Sequence, residues 1–316
     1  VSEANFRVET VPVAAPKEGE VLVRNLWLSL DPYMRGRMND VKSYAAKQEL
    51  DQVMVGGTAG EVVESRNPRF SVGDKVVGMF GWQQYGCSDG KGLNKVDTSR
   101  VPLQAYLGVL GMPGVTAWVG LLDLCQPKPG ETVLVSAASG AVGSVVGQIA
   151  KLKGCRAVGI AGGAKKCGYV LEDLGFDACV DYKAGRLDAD LKAALPSGVD
   201  CYFENVGGEV LDAALRRMNP FSRIAVCGLI SQYNATEPYG VRTFQSILTN
   251  RIKVQGFIVS DRMELWPRAL ADLAGWVAAG KIKYRETIAE GLENAPRAFV
   301  GLLKGENLGK QLVKLA

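Results

Sequence analysis

The 316-residue chain contains no histidine. That absence excludes Ser-His-Asp and Cys-His catalysis, together with every His-ligated zinc site. Acid or base chemistry is left to Tyr, Lys, Asp, Glu, Cys, a cofactor or water. The seven cysteines (Cys87, Cys125, Cys155, Cys167, Cys179, Cys201 and Cys227) include no Cys-x-x-Cys pair and no closely spaced set of four. An odd, dispersed set, mostly within apolar strands, predicts reduced, buried thiols and a cytoplasmic protein. No apolar run reaches about eighteen residues, so no membrane span is expected. No secretory signal is visible, and a start at Val1 leaves a removed leader open. The net charge is only +4, with no Lys/Arg cluster interleaved with aromatics, so nucleic acid is not an expected partner.

What is present is a well-patterned globular chain, 47% hydrophobic, for which two domains are expected. Up to about residue 101 it is rich in Gly and β-branched residues, with strands read at 21–26, 53–64 and 74–80. This part predicts a small barrel-like β domain. Asp31, before Pro32, is expected to cap a short helical turn. A helix at 116–124 opens the second part, where strands at 131–137, 155–161, 177–182, 199–206, 222–228 and 252–259 alternate with helices near 141–153, 164–174, 187–194, 208–218 and 240–250. The alternation predicts a doubly wound parallel sheet. A further helix spans 265–279, and the last residues, too few for a domain, are expected to return to the β domain. The expected boundaries are 1–111 with 284–316 for the β domain and 112–283 for the α/β domain.

One stretch organises the second part. Residues 131–137 read as an apolar strand, Ala138-Ser139-Gly140-Ala141-Val142-Gly143 as a tight turn, and the following residues as a helix leading to a second strand. Such a unit sets a pyrophosphate on a helix N-terminus. The second strand then ends in Gly162-Gly163-Ala164-Lys165-Lys166, with no acid to accept a ribose 2′-hydroxyl. Lys166 is the expected ligand of a 2′-phosphate through a charge-assisted hydrogen bond, which selects NADPH over NADH.

Four segments resemble the zinc-independent medium-chain dehydrogenase/reductases, in the branch of prostaglandin reductases, plant alkenal double-bond reductases and bacterial curcumin reductases. They are residues 31–38 (Asp-Pro-Tyr-Met-Arg-Gly-Arg-Met), 110–118 (Leu-Gly-Met-Pro-Gly-Val-Thr-Ala-Trp), 137–143, and 203–208 (Phe-Glu-Asn-Val-Gly-Gly). The likeness runs over nearly the whole chain, which compared with that branch is expected to lack an opening strand. It implies a GroES-like substrate domain formed by both chain ends and a Rossmann domain that holds NADPH. By the resemblance, Gly140, Ala141, Val142 and Gly143 hold the pyrophosphate, and Lys166 and Tyr182 the 2′-phosphate. Asn205, Cys227, Gly228, Ile230, Ser231, Tyr233, Phe257, Ile258, Val259 and Asn307 are the implied further cofactor contacts. Met112 and Thr116 resemble residues near the nicotinamide. Arg35 and Arg37 are read as structural anchors, with a clamp on a substrate carboxylate as the alternative.

The chemistry follows from what is missing. Zinc alcohol dehydrogenases use a Lewis acid to stabilise a developing alkoxide, and this chain has no zinc ligand set. Hydride delivered to the β-carbon of an enone leaves an enolate that one or two neutral donors stabilise. The expected activity is therefore metal-free, NADPH-dependent reduction of enals and enones, with Tyr233 and Tyr33 as candidate donors. A quinone oxidoreductase and a non-catalytic NADPH-binding protein are the alternatives. The sixth strand is expected at a sheet edge, where it would pair with a second subunit as a homodimer.

Overall fold

A computed structural model describes residues 1–316, and the chain divides into two compact units, Val1–Gly111 with Glu286–Ala316 and Met112–Arg285. In the first unit the chain begins with β1 (Val21–Ser29), α1 (Tyr33–Arg37), β2 (Thr58–Ser65), β3 (Lys75–Gly78), β4 (Tyr85–Ser88) and β5 (Asn94–Lys95). The expected strand from 53 starts only at Thr58. Before it, Met54 and Gly56 accept isolated bonds from Trp82 and Gly81 rather than joining a ladder.

The second unit opens with α2 (Met112–Trp118), which continues as a wider π-helical turn to Cys125. Then come β6 (Thr132–Ser136), α3 (Gly143–Leu152), β7 (Arg156–Ala161), α4 (Ala164–Gly168), β8 (Ala178–Asp181), α5 (Leu187–Ala194), β9 (Val199–Glu204), α6 (Gly208–Leu215), β10 (Met218–Val226), α7 (Gln245–Thr249), β11 (Lys253–Gly256) and α8 (Trp266–Ala278). All sheet neighbours are parallel, in the order β11-β10-β9-β6-β7-β8. This is the doubly wound order, whose direction of winding reverses between β6 and β9. Both faces are covered, so β6 (Thr-Val-Leu-Val-Ser) is buried at every residue. The α3 helix lies close because residue 147 is glycine. A Cβ there would sit 1.8 Å from the Phe176 ring.

Two expectations in this unit are corrected. The sixth strand stops at Gly256, and Phe257–Val259 lie beyond it. The helix expected at 240–250 is only Gln245–Thr249, because the Asp212 carboxylate takes the N–H groups of Arg242 and Thr243. A side chain has captured donors that a longer helix would have kept.

The tail supplies β12 (Glu286–Glu290), α9 (Ala295–Leu303) and β13 (Lys310–Lys314) to the first unit, whose sheet order is β12-β13-β1-β2-β3-β5, with β4 also on β1. Leu28, Leu30, Met34, Phe299 and Val313 form its core beside α1. Asp31 does not cap α1. Its carboxylate accepts from buried Lys310 Nζ at 2.6 Å and from Ser29 Oγ, while Lys310 also donates to the Leu30 carbonyl at 2.7 Å. All seven cysteines are unpaired, and Cys87 on β4 is exposed rather than buried.

Candidate active site

The carboxyl ends of the parallel strands carry the candidate residues of the second unit. Past Ser136 the chain turns through Ala137, whose φ is +49°, and Gly140 N–H closes the turn on the Ala137 carbonyl at 2.9 Å. α3 starts at Gly143, where a Cβ would lie 2.4 Å from that same carbonyl oxygen. Only glycine lets the helix begin so close to the strand. Ser144 N–H bonds to the Gly140 carbonyl, and Val145 and Val146 N–H to that of Val142, so the helix dipole, rather than these amides, favours an anion there. Gly140, Ala141, Val142 and Gly143 thus shape a cradle that fits a pyrophosphate.

Beside it, β7 and β8 end together. A Cβ on Gly162 would meet Tyr182 Cε1 at 2.8 Å, its hydroxyl at 3.0 Å and Lys183 Cε at 3.1 Å. The Lys183 ammonium lies 5.9 Å from the Tyr182 ring centre. Asp181 turns its carboxylate to the backbone, accepting from Gly163 N–H at 2.7 Å and Lys183 N–H at 2.9 Å. On α4, burial and the charge of Lys183 push the Lys166 ammonium below its ordinary value. Two cations that repel each other gain from an anion between them, and this fits a 2′-phosphate. Lys183 escaped the sequence reading, although its place next to Tyr182 was a signal.

At the switch point Glu204 is wholly buried. Its carboxylate accepts from Ser136 Oγ at 2.8 Å, Tyr202 Oη at 2.5 Å, Gly207 N–H at 3.0 Å and Val206 N–H. Burial pushes its pKa up, against those four bonds, which pull it down. Asn205 is tied to β6 through its N–H to Ser136 Oγ and its side-chain amide to the Ser136 carbonyl, each at 2.8 Å. One of its two side-chain N–H donors is thereby committed, which leaves the other and the amide oxygen for a ligand. Gly207 and Gly208 both take positive φ, and a Cβ on Gly208 would lie 3.1 Å from Ser231 Oγ. Neither Ser136 nor Glu204 stood out in the sequence as a site residue, yet an acid inside the apolar run Cys201-Tyr202-Phe203 was the available signal.

After β10, Cys227 N–H bonds to the Glu204 carbonyl at 2.8 Å, and Ile230 and Ser231 N–H bond to Asn205 and Val206 carbonyls. Burial, then the Glu204 charge, pushes the Cys227 thiol up to about 12, so it is a poor nucleophile. Tyr233 returns its hydroxyl to Leu229 N–H at 3.3 Å, and a Cβ on Gly228 would sit 3.0 Å from it. Phe257 turns its ring inward, edge-on to Phe203 at 6.2 Å, so only its backbone is offered along with Ile258 and Val259. On α2, Thr116 spends its hydroxyl proton on the Met112 carbonyl at 2.7 Å and keeps acceptor capacity only.

Two expected residues belong to the first unit. Tyr33 begins α1, with the Arg37 guanidinium 5.9 Å from its ring centre. Burial and the Asp31 charge raise its pKa, so it is a neutral phenol. Arg37 also donates to the Ala46 carbonyl at 3.0 Å, and Arg35 to Asn39 at 2.6 Å, as anchors do. Asn307 is buried, with its amide on the Gly309 carbonyl at 2.8 Å.

Family comparison matches residues 1–96 to a model described as the N-terminal domain of oxidoreductase, and residues 141–275 to one described as zinc-binding dehydrogenase. No group of three or more Cys, Asp or Glu side chains sits together as a metal site would require. The chain is 51% identical to the NADPH-dependent curcumin reductase of Escherichia coli, over 99% of its own length and 92% of that protein. It is 45% identical to the NADP(+)-dependent 2-alkenal reductase of Nicotiana tabacum, over 100% and 93%. The crystal structure of CurA from Vibrio vulnificus in complex with NADPH superposes with a TM-score of 0.93 at 49% identity, covering 98% of this chain and 93% of that one. No helix is long and apolar enough to cross a membrane.

Proposed function

The chain belongs to the zinc-independent medium-chain dehydrogenase/reductases, in the branch of curcumin and alkenal reductases, and we propose that it reduces the C=C bond of α,β-unsaturated aldehydes and ketones with NADPH. NADPH, when bound, supplies the hydride for the β-carbon. The chain's own residues bind and orient. The α3 cradle takes the pyrophosphate, and Lys166, Tyr182 and Lys183 take the 2′-phosphate. Asn205 offers its side-chain amide, oxygen and second N–H, from a turn held rigid by Glu204.

One observation carries the chemistry. Past β10 the reacting end of the sheet presents a phenol, Tyr233, and no histidine or metal ligand set. A neutral hydroxyl donor suits the enolate oxygen of conjugate reduction, and positioning supplies much of the rest of the rate. Tyr33 is the second candidate donor, from the substrate unit. We expect Tyr233→Phe to lower turnover severalfold while NADPH affinity stays near that of the parent. An unchanged rate removes Tyr233 from the mechanism. Steady-state assays with an enone and a quinone side by side separate this activity from quinone reduction, and no substrate-dependent NADPH oxidation with either would leave a non-catalytic binding protein.

Two finer parts of the proposal rest on placement. β11 is the edge strand of its sheet, with Phe244, Leu248 and Val254 exposed nearby, which supports pairing with a second copy as a homodimer. Seven unpaired thiols suit a reducing compartment, the cytoplasm.

A further inference from the structure

The segment after Tyr233 is exposed from Asn234 to Pro238 and is pinned at both ends. At the near end, Ser231 donates through Oγ and N–H to the Val206 carbonyl at 2.6 and 3.0 Å. At the far end, three residues converge on one side chain of α6. Asp212 accepts from Tyr239 Oη at 2.8 Å, Arg242 N–H at 3.0 Å, and Thr243 N–H and Oγ1 at 2.9 and 2.5 Å. Gln232 bridges the two ends by accepting Tyr239 N–H at 2.9 Å.

Asp212 is 2% exposed and forms no ion pair, and the Arg242 guanidinium lies over the Tyr239 ring instead. Burial works against its charge, yet the bonds from Thr243, Tyr239 and Arg242 hold its pKa at about 2. The carboxylate is therefore ionised at any working pH, and a buried charge without a cation is retained only because so many donors face it. The helix that carries it starts at Gly208, where the cofactor turn ends. One rigid element thus joins that turn to the far end of the Tyr233 segment.

We propose that Asp212 is a specificity-determining positioning residue: it fixes the Asn234–Pro238 loop as a rigid wall and so sets how bulky an enone is accepted. This rests on the enone-reductase function proposed for the Tyr233 region. The geometry predicts a selective effect. Truncating residue 212 to alanine removes both acceptor oxygens, Oδ1 from Arg242 and Thr243 and Oδ2 from Tyr239, so the far pin is lost while the turn at Asn205 to Gly208 is untouched.

The test compares a bulky aryl enone, benzylideneacetone, with the small methyl vinyl ketone. In Asp212→Ala we expect KM for benzylideneacetone to shift by about fivefold or more with kcat nearly unchanged, while both constants for methyl vinyl ketone move less than about twofold. NADPH dissociation, followed by fluorescence, should also move less than about twofold. Tyr239→Phe, which removes one donor, should give a smaller shift in the same direction and serves if the Ala variant does not fold. Equal loss of kcat/KM for both enones, or no change for either, overturns the proposal. Amide hydrogen exchange over 234–243 gives a second readout that needs no turnover. It should quicken in either variant without a matching change in α3, and an unchanged rate also overturns the proposal. If the parent protein turns over neither enone, the enone-reductase function fails, and exchange still decides whether Asp212 is the pin.

Discussion

Replacing Glu204 by Gln tests the least expected feature of the switch point, a wholly buried carboxylate with no cation. Its two oxygens are used unequally: Oε1 takes Ser136, Val206 and Gly207, and Oε2 takes only Tyr202. A glutamine oxygen at the Oε1 position keeps three donors, and its NH2 faces a tyrosine hydroxyl that can turn to accept. Packing is preserved and the charge is removed. Because burial raises the folded pKa above the ordinary 4.5, the sign of the pH effect is set. From pH 4.5 upward the unfolded chain loses this proton while the folded one keeps it, so stability falls as pH rises. It stops falling once the folded group ionises. One proton gives a slope of at most about 1.4 kcal/mol per pH unit. For a unit of this size that is about 3–5 °C in Tm per pH unit. Thermal melts of parent and Glu204→Gln across pH should therefore start close together at acid pH, with the Gln variant pulling ahead above 4.5. Taking the difference cancels every other titrating group. A constant gap, or a parent that gains on the variant as pH rises, would refute the reasoning and show that the four hydrogen bonds outweigh burial. Glu204→Leu, by contrast, strands buried donors at about 1–3 kcal/mol each and should destabilise at every pH.

The remaining predictions are simpler. Lys166→Ala should weaken NADPH binding about 10- to 100-fold, the worth of a charge-assisted hydrogen bond, and leave NADH binding nearly unchanged, as fluorescence titration with both nucleotides would measure. Equal weakening of the two would take Lys166 off the 2′-phosphate. In the first unit, Lys310→Met leaves Asp31 buried and unpaired and should cost about 3–5 kcal/mol in denaturant unfolding. Adding Asp31→Leu should recover most of that loss, because the apolar pair strands no charge.

Much of the α/β unit was legible because its signals are local. Apolar runs such as Val133-Leu134-Val135, a glycine turn, and the helix after it lie within a few residues of one another. The cofactor preference was also local, since the cations and the missing acid sit in one short segment. What escaped were bonds whose partners lie far apart along the chain. Asp31 looked like a cap because nothing nearby reveals that Lys310 will claim it. Asp212 looked like an ordinary helix residue, and its capture of Arg242 and Thr243 is what cut short the helix expected at 240–250. Lys183 and Ser136 were overlooked because their importance comes from strands β7 with β8 and β6 with β9 ending side by side. That pairing is a property of the sheet and of no single segment.

The pairing of Asp31 with Lys310 also bears on how the protein is made. The two residues are 279 positions apart, and β13 lies between β1 and β12 in the finished sheet. On a ribosome adding about 5–20 residues per second, Asp31 waits on the order of half a minute for its partner. Through that interval the N-terminal strands lack the seam that completes their sheet, while all of Met112–Arg285 has already been synthesised. The nucleotide-binding unit is thus free to fold first, and the older part of the chain is finished last.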